Sequence, residues 1–316
     1  MKKQLFRLLC AACTVIVCTV SAWAMPDMLI PGGCTVGIKL NTKGLMVTGF
    51  EETSPAEKAG LKKGDIIIEV DGQTIHTVDV LRQRIETDDV VLTVLRNGRE
   101  AEFCVTPVEK QIGAQVRDTI AGIGTITYYD PISGTFGALG HGVSDVNTSQ
   151  LIPVEEGVLI HSSVAQVVRG KHGTPGELKG HFDMGSVLGT VKRNCPHGIF
   201  GTMSVPLSKK PLPVAGAEEV KEGRATILSN VSGEEVRAYA VEIQKIYPNA
   251  DETGRNLLLK VTDHDLLAAT GGIVQGMSGS PVIQNGRIVG AVTHVLVNDP
   301  TRGYGIFIEN MLEAVE

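Results

Sequence analysis

The segment Gly276-Met277-Ser278-Gly279-Ser280-Pro281 constrains this chain more than any other. Glycines on both sides of Ser278 allow a sharp backbone turn that leaves the hydroxyl exposed. Pro281 then opens a short apolar strand, Val282-Ile283-Gln284. Asn285-Gly286 is a strong hairpin turn, and Ile288 to Val292 returns as the second strand. A chain built this way presents a serine at the rim of a β-sheet. It also brings the amides of Gly276 and Ser278 towards the point where a tetrahedral oxyanion would form.

A serine hydroxyl is a weak nucleophile without an adjacent base. Among eight histidines, His141 is the best placed. It follows the apolar run Phe136 to Leu139 and lies between Gly140 and Gly142, so its ring can reach a cleft. His294, on the strand bordering the serine, is its rival. His76, His172, His197 and His264 read as structural or surface residues. A third group, a carboxylate, would hold the imidazole in its productive tautomer. Asp263, Asp265, Asp183 and Asp145 are candidates, and the residues alone do not choose among them.

With 37 glycines, 4% aromatic residues and many short apolar runs, the chain reads as turn-rich and mainly β. Its 316 residues suggest two domains. The net charge of -6 comes without a basic stripe, which argues against a nucleic-acid partner. There is no His-Glu-x-x-His, and Cys195-Pro196-His197 is too sparse for a metal site, so neither a metal nor a cofactor is expected.

The first residues read as a targeting segment. Lys2, Lys3 and Arg7 precede an apolar stretch from Leu8 to Val20, and Ala22-Trp23-Ala24 offers a cleavage site before Met25. Residues 1–24 are expected to be a cleaved export signal or an uncleaved membrane anchor, with the rest translocated. Cys34 and Cys104 then lie near the two ends of the first domain. They are expected either to form a disulfide in an oxidising compartment or to stay as two unpaired, buried thiols.

Residues 33–107 carry a recognisable order of signals. Thr35 to Leu40 and Leu45 to Phe50 read as strands. Ser54-Pro55 and Gly60 bracket a short capped helix. Ile66 to Val70 is a strand closed by Asp71-Gly72, and Val78, Leu81 and Ile85 recur at helical spacing. A last hairpin turns at Asn97-Gly98. The stretch from Ser54 to Ile75 resembles the core signature of bacterial PDZ domains. The resemblance implies a small barrel-like α+β sheet with two helices. It further implies a groove where an extended peptide adds as a strand, with the amides of Val36, Gly37 and Ile38 receiving its C-terminal carboxylate. The alternative is a groove filled by the protein's own chain.

Residues 110–316 form the second expected domain. The order turn, proline, strand, Asn-Gly, strand resembles the segment after the nucleophile of trypsin-like peptidases, although Met277 and Ser280 depart from their Gly-Asp-Ser-Gly-Gly-Pro. Leu257 to Leu312, together with Gly134 to Asp145, closely resembles the SpoIVB peptidase family of endospore-forming bacteria. That resemblance implies a trypsin-like double β-barrel with the triad His141, Asp263 and Ser278. Asp263 lies only fifteen residues before Ser278, so it would have to reach the histidine from an unusual part of the barrel.

The resemblance implies an exported serine endopeptidase acting during spore formation between the forespore and mother-cell membranes. It would cleave a membrane-bound regulator of an intramembrane protease, and itself, leading to activation of a late sigma factor. The PDZ groove would take a substrate tail or another copy of the enzyme. Two other readings fit the parts. One is a PDZ scaffold with an inactive barrel. The other is a quality-control protease, in which the PDZ domain usually comes after the peptidase and does not precede it.

Overall fold

The computed structural model describes residues 25–86, 88–145, 149–249 and 254–315. The expected targeting segment, residues 1–24, lies outside the described residues. No described helix is long and apolar enough to cross a membrane.

In chain order the strands are β1 (Met28–Pro31), β2 (Thr35–Phe50), β3 (Ile66–Val70), β4 (Gln73–Thr74), β5 (Val90–Arg96), β6 (Arg99–Val105), β7 (Ala114–Tyr129), β8 (Thr135–Ala138) and β9 (Val154–Val168). They continue as β10 (Glu177–Cys195), β11 (Gly198–Met203), β12 (Leu212–Pro213), β13 (Gly223–Ser229), β14 (Arg237–Ile246), β15 (Leu257–Val261), β16 (Pro281–Gln284), β17 (Arg287–Val295) and β18 (Arg302–Phe307). Four short helices accompany them: α1 (Pro55–Ala59), α2 (Val78–Arg84), α3 (His264–Thr270) and α4 (Ile308–Glu313).

Two closed barrels and a smaller unit account for these strands. In the first barrel β2 pairs with β7 and β9, β9 with β10, β10 with β11, β11 with β8, and β8 with β7, which closes the ring. The second is the closed ring β13-β14-β15-β18-β17-β16. Each has its own apolar interior. Val36, Leu40, Ile126, Phe136, Leu159 and Ile199 fill the first. Ile227, Val241, Leu259, Val282, Val292 and Phe307 are in the core of the second. Between them Tyr128 and Phe200 of the first meet Ile288, Ala291 and Ile306 of the second, joined by Ile308 and Met311 of α4. The mainly β, double-barrel expectation therefore describes the observed architecture.

The smaller unit is the PDZ domain. Ser54 caps α1 by accepting a hydrogen bond from the Glu57 amide at 3.1 Å, and Gly60 ends the helix at φ 105. Its core gathers Leu45, Val47, Leu61, Ile67, Leu81 and Leu92. Asp65, 1% exposed, accepts two hydrogen bonds from Arg96 at 2.7 and 2.6 Å. The Arg96 guanidinium also donates to the Gly60 carbonyl at 2.8 Å.

The division near residue 33 does not hold at the level of strands. β2 is one strand, with a register shift between Asn41 and Met46 and Gly44 at φ +136. Its first half, Thr35 to Asn41, is a stave of the first barrel, and its second half pairs with β3 of the PDZ unit. The PDZ unit is thus inserted between the first and second strands of that barrel. The physical reason is the bend. A break in register lets one strand leave the curvature of one sheet and join another.

The three described cysteines outside the targeting segment are free. Cys34 is half-buried, Cys104 exposed and Cys195 buried. Of the two expected outcomes, the unpaired thiols are the one observed, with Cys104 exposed and not buried, because Cys34 opens a barrel strand while Cys104 sits on β6 of the PDZ unit.

Candidate active site

Ser278 and His141 come from different barrels and line one cleft of about 390 Å³, together with Gly276, Thr293 and His294. His141 is on the loop after β8. There Leu139 and Gly140 both have positive φ, at 69° and 68°. The loop rests on the second barrel. A Cβ on Gly140 would lie 3.0 Å from Thr293 and Ile306 side-chain atoms.

The nucleophile turn is locked to the first barrel. Thr125 of β7 donates its amide to the Ser278 carbonyl at 3.0 Å, and its hydroxyl to the Gly276 carbonyl at 2.7 Å. Gly279, at φ +95, has no room for a Cβ, which would sit 2.0 Å from the Thr125 carbonyl oxygen.

The amides of Gly276 and Ser278, expected to form an oxyanion hole, can be located in the turn. Gln275 accepts from the Leu178 amide at 2.8 Å and donates to the Gly176 carbonyl at 2.9 Å. Carbonyl and N–H of one peptide plane point in opposite directions. The Gly276 N–H is therefore turned away from β10. Among the described residues, neither the Gly276 nor the Ser278 amide donates a hydrogen bond to another group, so both are available to an oxyanion.

The Ser278 hydroxyl donates to the Thr293 carbonyl at 2.6 Å, and no hydrogen bond joins it to His141 among the described residues. His141 Nδ1 lies 2.8 Å from the Gly142 carbonyl. Donation from Nδ1 to that carbonyl leaves Nε2 as the free base. Burial pushes the His141 pKa below the ordinary imidazole value, and the bond to Gly142 offsets part of that shift. The ring is a neutral base at pH 7.

Asp263 is elsewhere. It is the N-cap of α3, and its carboxylate accepts from the amides of Asp265, Leu266 and Ala240 at 3.1, 3.0 and 3.1 Å. It lines a separate cavity of about 330 Å³ with Tyr239, Arg237 and Glu235. Partial burial works to raise its pKa, but the three amides outweigh that and hold it below the usual carboxylate range. Of the other candidates, Asp183 is spent on the Ser186 hydroxyl and the Gly185 amide. Asp265 lies beside Asp263 in the separate cavity. Asp145 is buried beyond the His141 loop. Among the described residues no carboxylate lines the catalytic cleft.

His294 is there instead. Its ring centroid is 4.7 Å from that of His141, with the planes tilted by 37°. Burial first, then His141 and Arg255, bring its pKa down to about 4. The hold of Thr125 and Thr293 on the nucleophile turn is not legible in the sequence, because Thr125 acts from the other barrel and Thr293 through its backbone carbonyl.

The PDZ carboxylate site expected at Val36, Gly37 and Ile38 is overturned. All three pair on one side with β7 (Gly124, Ile123, Gly122) and on the other with β9 (His161, Ile160, Leu159). Backbone committed to two neighbours has no edge to offer a peptide. The groove beside α2 is formed by β7, at Ala114 to Arg117, facing Val78, Leu81 and Ile85. It encloses about 660 Å³, and β7 there pairs only with β2.

Two family models match this chain. Residues 108–312 match the SpoIVB peptidase S55 family, and residues 46–96 match the PDZ domain. A DegP-like periplasmic serine endoprotease of Halomonas elongata is 38% identical over 68 residues, 20% of this chain and 14% of that protein. The Do-like protease HtrA of Bacillus subtilis is 44% identical over 69 residues, 20% of this chain and 15% of its own length. The chain thus spans about a seventh of these relatives. The inactive form of Rv3671c protease overlaps 61% of this chain and 81% of its own, at 15% identity and a TM-score of 0.32. With the match to the peptidase family covering 205 of 316 residues, this chain belongs to the SpoIVB peptidase S55 family and carries a PDZ domain.

Proposed function

We propose that the chain is an exported endopeptidase that hydrolyses peptide bonds through an acyl-enzyme on Ser278. The observation that carries this reading is the meeting of Ser278, His141 and two unengaged amides, Gly276 and Ser278, in one cleft between two barrels. His141 Nε2 takes the hydroxyl proton as Oγ bonds to the substrate carbonyl carbon, and the carbonyl electron pair moves onto oxygen between the two amides. The imidazolium then protonates the leaving amine as the C–N bond breaks. Water repeats the sequence to release the acid. For the first step the Ser278 hydroxyl has to leave the Thr293 carbonyl, which it meets at 2.6 Å, for His141.

The family supports a regulatory role in spore formation. The substrate would be a membrane-bound regulator of an intramembrane protease, and the enzyme itself, in the space between the forespore and mother-cell membranes. The PDZ domain supports capture of an extended peptide, at the edge of Ala114 to Arg117 beside α2. Incubation of the full chain beside its Ser278→Ala variant, followed by mass spectrometry, tests the catalytic reading. Fragments in the wild type alone, and labelling of Ser278 by a fluorophosphonate, are expected. Neither would appear if the barrels serve only as a scaffold for the PDZ domain.

A further inference from the structure

We propose that His294 is the positioning residue of the catalytic base, standing where a triad carboxylate would stand. The inference rests on the serine-peptidase reading of Ser278 and His141.

Three observations converge on His294. Its ring is the one in contact with His141, at 4.7 Å between centroids. It comes directly after Thr293, whose carbonyl holds the Ser278 hydroxyl, so strand β17 registers base and nucleophile together. Its Nδ1 is shielded from solvent and has no hydrogen-bond partner among the described residues. An orphaned buried nitrogen is costly and calls for an explanation. At the same time Asp263, the carboxylate that the family resemblance assigned, is occupied by three amides in another cavity.

The hydrogen bond from His141 to Gly142 does not fix the ring by itself. Gly142 is the next residue and its amide is tied to Pro196 of the same barrel, so it places the ring within the first barrel and not against Ser278. An aromatic face from the opposite barrel is what holds the imidazole relative to Ser278. The groups facing His294 are His141, Arg255 and its strand partner Tyr304. The Arg255 guanidinium lies over the Tyr304 ring at 5.3 Å. Arg255, and the imidazolium when it forms at His141, both disfavour a charge on the desolvated His294 ring. His294 therefore stays neutral when His141 takes up the proton of Ser278, and its π face borders the new imidazolium.

The test uses the full chain, with a fluorophosphonate as probe and the maximal inactivation rate separated from probe affinity. His294→Ala and His294→Gln remove the ring. Each is expected to lower the maximal rate by about tenfold or more, with affinity changed less than about threefold. His294→Phe, which keeps a ring against His141, is expected to stay within about threefold of wild type, as is Asp263→Asn. In ¹⁵N spectra, His141 is expected to hold one tautomer in the wild type and in His294→Phe, and a mixture in the ring-less variants. A purely architectural histidine would lower the melting temperature without moving that signature. The proposal is overturned if the ring-less variants label at the wild-type rate. It is overturned too if Phe rescues no better than Ala, or if a folded Asp263→Asn loses labelling a hundredfold. If the wild type itself is not labelled, the peptidase reading fails, and the ¹⁵N comparison still decides whether His294 positions His141.

Discussion

Gly279 and Leu139 belong to different barrels, yet their backbones touch. A Cβ built on Gly279 would lie 2.5 Å from the Leu139 amide nitrogen. The nucleophile turn and the histidine loop are thus registered by direct backbone contact, two residues from His141 and one from Ser278. At φ +95 the position is also strained for any L side chain. Gly279→Ala is expected to destabilise the protein by at least about 3 kcal/mol and to abolish fluorophosphonate labelling, since both loops must move apart. Urea unfolding and labelling, measured on one preparation, would check both.

Thr125 offers a milder perturbation of the same contact. Thr125→Val keeps the shape and the amide bond to Ser278 but removes the hydroxyl that satisfies the Gly276 carbonyl. Leaving that buried oxygen unpaired is expected to cost about 1–3 kcal/mol. Labelling should slow by about tenfold, because the turn between Gly276 and Ser278 then loses its side-chain tie to β7. Unchanged labelling in the folded variant would show that β7 does not set this geometry.

The two imidazoles make the enzyme sensitive to acid in a defined direction. His141 is held below the usual imidazole range chiefly by burial, and catalysis needs it neutral. The acid limb of labelling should therefore have its midpoint below about 6.5. Stability has the same sign. His294 binds its proton near 6.5 when unfolded and only near 4 when folded. Its contribution is complete above about pH 6.5 and is lost as the pH falls towards 4. After allowing for partial exposure, the loss is about 1–2 kcal/mol. Denaturant unfolding at pH 7 and pH 4.5 should show it, and His294→Phe should reduce it.

The cleft also states a preference. Ile38, Ile120, Ile123, Ile273, Val274 and Val295 line it, and no Asp, Glu, Lys or Arg does so among the described residues. Peptides with an apolar side chain at the cleaved bond should be cut, and those with lysine or arginine there should be poor. Val274→Asp should shift a mixed peptide library towards basic residues. Equal cleavage of basic and apolar peptides by the wild type would mean that this cleft does not hold the side chain next to the cleaved bond.

In the PDZ unit the pair of buried Asp65 and half-buried Arg96 is the weak point. Asp65→Ala strands the guanidinium and frees the Lys62 amide, which donates to Asp65 at 2.7 Å. A loss of about 3 kcal/mol is expected. Thermal unfolding monitored beside labelling would show whether the PDZ unit and the barrels unfold together.

The local features of this chain were legible in its sequence because each has a short-range cause. Ser54 caps its helix, Gly60 ends it, Asn97-Gly98 and Asn285-Gly286 turn their hairpins, and Gly276 and Gly279 adopt the positive φ that the nucleophile turn requires. These depend on side-chain size and backbone freedom within a few residues. What tertiary structure alone decided is the company each residue keeps. Thr35 to Leu40 read as a PDZ strand, and became part of a barrel stave because two long-range partners, β7 and β9, claimed both its edges. Asp263 read as a triad carboxylate, but the amides of α3 and Ala240 reach it first, and a carboxylate with three amide donors has little to gain by leaving them. His294 read as a rival base on the strand bordering the serine, and closure of the second barrel laid its ring against His141. Local pattern determined where the chain turns and which serine stands exposed. The closure of two barrels, through contacts more than a hundred residues apart in sequence, decided what stands beside that serine.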